Sequence, residues 1–209
     1  MGEDDSYYLL RFTKTGPARF LSHHDVARAW ERAVRRAGVP LSYSRGFTPR
    51  PRVVFGPPLP VGAEGLREWM AFSLRAAMDA DHLAIGLRAA SSSGLDVIDV
   101  RALATRRPKP LRAIYELHVT DAPPELGDRV RSLLESPATL VTRARTAGAP
   151  PRDIRPGIIE ITLDGPSPLR AIVSLVDTQV VGTRDLAAAL EVSFDRVIRT
   201  DVQLDVDAV

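Results

Sequence analysis

The segment running from Ser22 to Gly38 limits the possible folds of this chain more than any other. Ser22 is a helix-capping residue, and Asp25 three positions later is the acidic partner of a capping box. Beyond it successive residues turn by about 100°. Val26, Trp30, Ala33, Val34 and Ala37 therefore share one side, and Arg28, Arg32, Arg35 and Arg36 share the other. Gly38 closes the helix near Ala37, with Pro40 beyond it. A helix divided this sharply must lay its apolar side on a partner layer. The alternating, aromatic and β-branched run Tyr7 to Thr13 predicts a strand ahead of it.

The elements that follow predict the rest of that layer. Leu41 to Ser44 reads as a short strand, Arg45 to Pro51 as a loop and Arg52 to Phe55 as extended chain. Pro57, Pro58 and Pro60 exclude a central strand there. A strand is expected over Glu68 to Leu74, a helix over Asp79 to Ala90 and a strand over Leu95 to Ala102. The order β-α-β-β-α-β defines a ferredoxin-like unit. The second half repeats it: strand Ala113 to Thr120, helix Pro124 to Leu134, and strands Leu140 to Arg145 and Ile158 to Leu163 around a Pro/Gly-rich connection. Strand Leu169 to Val176, a helix Arg184 to Leu190 capped by Thr183, and strand Arg196 to Val206 complete it, with one strand or hairpin to spare. The expected fold is α+β, two tandem ferredoxin-like units with antiparallel sheets. They span residues 1–104 and 112–209, joined by a basic linker at 105–111.

Charge is unevenly spread. Residues 11–52 hold ten basic and two acidic side chains, a net +8, whereas residues 113–209 hold ten basic and fifteen acidic, a net −5. Only Lys14 and Lys109 are lysines, and the other 26 basic residues are arginine. Arginine suits bidentate phosphate contacts and base stacking. The absence of cysteine excludes disulfides, thiolate catalysis and cysteine-held zinc or iron–sulfur clusters. The four histidines, His23, His24, His82 and His118, show no metal-ligand spacing. No metal or other cofactor is expected. No apolar run reaches the length of a membrane span, and residues 1–6 lack the character of a secretory signal. The expected location is the cytoplasm.

A solvated outer face is the ordinary reading of charge on a helix. Here Glu31 alone opposes four arginines, and the flanking segments add Arg11, Lys14, Arg19, Arg45, Arg50 and Arg52. The expectation is an anion-binding face whose affinity falls with salt. Tyr43 and Phe47 interleave with the arginines and are expected to stack unpaired bases; Phe55 is the better candidate for core packing. Gly46 supplies a turn, and Pro49 and Pro51 stiffen the loop. On the helix wheel His23 leans to the apolar side and His24 to the arginine side. Residues 56–65 are glycine- and proline-rich but lack the spacing of a phosphate-binding loop.

Residues 10–25 (LRFTKTGPARFLSHHD), 31–62 (ERAVRRAGVPLSYSRGFTPRPRVVFGPPLPVG) and 68–74 (EWMAFSL) resemble the radical-SAM-linked protein family, with a weaker likeness through residues 112–119 and 197–204. The resemblance implies a companion of a radical SAM enzyme, either fused to it or encoded beside it. It also implies a setting in RNA metabolism near an RNase E/G-type ribonuclease. The family usually carries Leu at position 24 and often His at position 50. A shared role would therefore use His23, Arg19, Asp25 and the loop from Ser44 to Pro51. Without cysteine the chain cannot itself hold a radical SAM cluster. The leading expectation is a non-catalytic RNA-binding or substrate-presenting module. The alternatives are a protein-docking adaptor for a radical SAM enzyme or ribonuclease, and a metal-independent endoribonuclease using His23.

Overall fold

A computed structural model of the chain describes residues 5–105, 107–142, 150–163, 165 and 167–207. The fold is mixed α+β, with largely antiparallel strands and four α-helices among the described residues. It divides into two compact units, residues 1–109 with 204–209, and residues 110–203.

Unit 1 runs β1 (Ser6–Lys14), α1 (His23–Arg36), β2 (Val53–Phe55), β3 (Glu64–Leu74), α2 (Ala80–Ala90) and β4 (Val97–Leu103). Its strands lie in the order β4-β1-β3-β2, each antiparallel to its neighbours. β1 is central because its alternation buries Tyr8, Leu10 and Phe12 on one face. Those side chains meet the apolar side of α1, with Phe12 and Trp30 at 5.0 Å between ring centroids. Leu83 and Leu87 of α2 complete this core. Each such side chain contributes about 1.5–3 kcal/mol when fully buried, so the amphipathic division of α1 holds it on the sheet.

The ends of α1 follow from its sequence. The Ser22 hydroxyl accepts from the Asp25 N–H at 3.2 Å, and the Asp25 carboxylate accepts from the Ser22 N–H at 3.3 Å. At the other end Gly38 adopts φ +67°, and the Val39 N–H reaches back to the Val34 carbonyl at 3.1 Å. That left-handed turn closes the helix and costs a residue without Cβ little.

Two boundaries differ from expectation. The segment Leu41 to Ser44 forms only isolated bridges, Leu41 to Leu74 and Tyr43 to Pro51. β3 begins at Glu64, four residues early, because Gly65 still pairs with Lys14.

Unit 2 runs β5 (Pro110–His118), α3 (Leu126–Glu135), β6 (Leu140–Val141), β7 (Arg152–Asp153), β8 (Ile158–Leu163), β9 (Leu169–Ser174), α4 (Thr183–Leu190) and β10 (Arg196–Leu204). Its main strands are ordered β10-β5-β9-β8, and β6 pairs with β7 as a separate hairpin. This hairpin is the surplus element expected from the sequence, although residues 143–149 of the expected Leu140–Arg145 strand and its connection lie outside the described residues. Leu126, Val130 and Leu133 of α3 and Leu186 and Leu190 of α4 are buried, as are Leu169, Ala171 and Val173 of β9. Thr183 does not cap α4. Gly182 holds the cap position, and its N–H donates to the Asp185 carboxylate at 3.0 Å. Among the described residues no helix is long and apolar enough to cross a membrane.

Candidate nucleic-acid interface

Arg28, Arg32 and Arg35 stand exposed along the outer side of α1. Among the described residues none of the three makes an ion pair or a side-chain hydrogen bond. Arg36 is also exposed, but its guanidinium donates to the Ala90 carbonyl at the end of α2. Its charge therefore serves the C-terminus of a neighbouring helix. Asp25, at the start of α1, is held below the ordinary carboxylate range by the Ser22 hydroxyl and the Ser22 N–H, then by the charges of Arg28 and His24.

Arg11 and Lys14 do not belong to the surface, contrary to expectation. Both lie on the buried strand β1, Arg11 1% and Lys14 3% exposed. Arg11 donates to the Asp207 carboxylate and the Arg67 carbonyl. Lys14 Nζ donates to the Arg19 carbonyl at 2.8 Å. A long cationic side chain on a central strand is tolerated only with such internal acceptors.

Asp207 binds both Arg11 and Arg101, and it also accepts from the Leu204 N–H. Burial raises its pKa. The Leu204 N–H, the charge and hydrogen bond of Arg11 and the charge of Arg101 outweigh that effect and hold it below the ordinary range.

Arg19 lies partly exposed, its guanidinium 4.7 Å above the exposed Phe20 ring and 3.9 Å from Glu64. His23 is half-buried and His24 exposed, as their places on the wheel predict. The His23 ring meets Phe55 edge-on at 6.1 Å and lines a recess with Lys14, Glu68 and Trp69. That recess holds about 20 Å³, close to the room one water requires.

The loop after α1 is tied at its base. The Ser44 N–H donates to the Arg50 carbonyl at 2.8 Å, and the Arg50 N–H donates to the Ser44 hydroxyl at 3.0 Å. Below that pair Ser42 N–H donates to the Ser73 carbonyl of β3, and Ser73 N–H to the Arg52 carbonyl. Gly46 takes φ +139° at the crest, where Arg45, Phe47 and Arg50 are exposed. Phe47 is fully exposed. An aromatic ring on a tied loop, facing water, retains its whole face for a partner.

Tyr43, Arg45 and Arg52 meet around a hollow of about 200 Å³, joined there by Asp5, Ser42 and Arg75. Arg52 donates to one oxygen of Asp5, and Ser42 Oγ donates to the other at 2.7 Å. The Arg75 guanidinium lies 5.9 Å from the centre of the Tyr43 ring. Arg75 is not among the residues that the sequence singles out. Its place follows from the Leu41–Leu74 bridge, which sets the end of β3 beside the segment carrying Tyr43, and this pairing has no local sequence signal. Arg28, Arg32, Arg35, Phe47 and Arg50 line neither this hollow nor the His23 recess. Among the described residues no group of three His, Asp or Glu side chains is placed to hold a metal ion.

A two-unit α+β chain with a cationic helix face and an Arg/aromatic loop is thus in hand. It belongs to the bacterial family described as "Uncharacterized protein conserved in bacteria (DUF2344)", which matches residues 7–189. No curated protein matches the chain.

Proposed function

We propose that this protein is a non-catalytic RNA-binding or substrate-presenting module of the bacterial cytoplasm. The observation that carries the reading is the set of exposed, unpaired arginines on α1 together with the tied loop that lifts Phe47 and Arg50 into water. Exposed guanidinium groups neutralise phosphates, and an exposed ring stacks a base. Both strand orders, β4-β1-β3-β2 and β10-β5-β9-β8, place the first strand of a β-α-β-β-α-β series between its fourth and third. We therefore read the units as tandem ferredoxin-like folds, the second with the β6–β7 hairpin inserted. The likeness to the radical-SAM-linked family makes a radical SAM enzyme or a ribonuclease the partner that supplies the chemistry. An endoribonuclease centred on His23 draws no support from a recess of about 20 Å³.

The test is titration of the purified protein with labelled single-stranded and hairpin RNA. Reversal of both Arg32 and Arg35 to Glu is expected to weaken binding by about a hundredfold or more, since each arginine replaced takes away a charge-assisted hydrogen bond of about 1.5–3 kcal/mol. Arg36 is left intact because its role is structural. RNA binding absent at low salt, or indifferent to both reversals, rejects the reading.

A further inference from the structure

The hollow bounded by Asp5, Ser42, Tyr43, Arg45, Arg52 and Arg75 lies entirely within unit 1. Its lining carries three guanidinium groups and one carboxylate, a formal net of +2. Asp5 shows how an anion sits there, one oxygen on Ser42 Oγ and the other on Arg52. Among the described residues Arg45 and Arg75 make no ion pair, and the buried Arg52 Nε has no hydrogen-bond partner. Donors for a second anion thus remain beside the first.

We propose that this hollow binds a terminal phosphate monoester of a nucleotide chain. A phosphodiester inside a strand carries one negative charge, whereas a terminal phosphate carries about −1.5 to −2 at pH 7. The dianion matches the +2 of the lining, whereas a diester leaves one of its positive charges unmatched. Arginine forks contact such an oxygen-rich group in pairs. The volume of about 200 Å³ is below the roughly 300 Å³ at which whole small-molecule pockets begin. The phosphate enters and the nucleoside stays outside. There it meets Tyr43, which is 42% exposed and held by Arg75.

The identity of the attached chain as RNA rests on the function proposed above; the recognition of the phosphate does not. Two sources share this chemistry, the end of an RNA and a free mononucleotide. Fluorescence anisotropy on single-stranded RNA with an internal label separates them, using a 5′-phosphate, a 3′-phosphate or hydroxyls at both ends. One phosphorylated form is expected to bind about tenfold tighter than the hydroxyl form, and Arg75→Gln and Arg45→Gln each to bring that ratio toward one. Both arginines are exposed, so neither change threatens the fold. Equal binding of all three RNAs by the unaltered protein overturns the proposal and leaves RNA binding standing. If no RNA binds, the functional reading fails alone and adenosine monophosphate decides the hollow. A phosphorus NMR shift on adding protein, lost with Arg75→Gln, upholds the site for the free nucleotide, and an unmoved signal overturns it.

Discussion

The carboxylate of Asp207 lies between the guanidinium groups of Arg11 and Arg101 and sets an acid limit on unit 1. Its pKa is depressed in the folded chain. Its contribution is therefore complete above the ordinary aspartate value of about 4 and is lost as pH falls through the lower folded value. Asp207→Asn leaves Arg11 buried without the Asp207 charge. Urea unfolding at pH 7 is expected to show a loss on the order of 3 kcal/mol, and the variant's stability to decline less steeply below pH 4 than that of the unaltered chain. Individual charges are only half legible in the sequence for this reason. Arg28, Arg32 and Arg35 lie on a periodic face whose pattern sets them outside, where the structure has them. Arg11 and Lys14 join them by charge alone, although strand alternation sets Arg11 opposite Leu10 and Phe12. A buried arginine becomes plausible only once its acceptor is known, and Asp207 lies 196 residues away.

At the scale of elements, α1 carries both the core contact of unit 1 and the exposed arginines. Ser22→Ala removes the hydroxyl that caps it, at a cost of about 1 kcal/mol. For a chain of this size that lowers the thermal midpoint by roughly 2–4 °C, measurable by circular dichroism. The same change strips Asp25 of the hydroxyl that depresses its pKa most. The remaining depression should be smaller when followed by NMR titration. Both ends of this helix are readable because the signals are local: Ser22 with Asp25 at one end, Gly38 at the other. Elements whose limits depend on pairing are less so. Leu41 to Ser44 has strand composition but meets its partners only at single bridges, and β3 gains its early start from the register of Gly65 against Lys14. The cap of α4 falls one residue before the one its sequence suggests. Thr183 has the better capping chemistry, but the Asp185 carboxylate reaches the Gly182 N–H and closes the turn from the other side.

For the whole molecule, RNA affinity is expected to follow salt. On the proposed RNA-binding reading, four phosphate contacts, from Arg28, Arg32, Arg35 and Arg50, would give a slope of log affinity on log salt of about −2.8 on single strands. Reversing Arg32 and Arg35 should reduce its magnitude by about 1.4 or more, measured between about 50 and 200 mM salt. The recurring element order is visible in the sequence without any repeated residues, since period and punctuation mark strands and helices whatever side chains carry them. The hollow around Arg45, Arg52 and Arg75 is not, because its walls come from the start of β1, the loop after α1 and the end of β3. Unit 1 also takes in residues 204–209. A ribosome makes Arg11 before unit 2 and Asp207 after it. The unit that begins first is therefore completed second, and until residues 204–207 arrive the nascent chain holds the Arg11 guanidinium in its central strand without the Asp207 carboxylate.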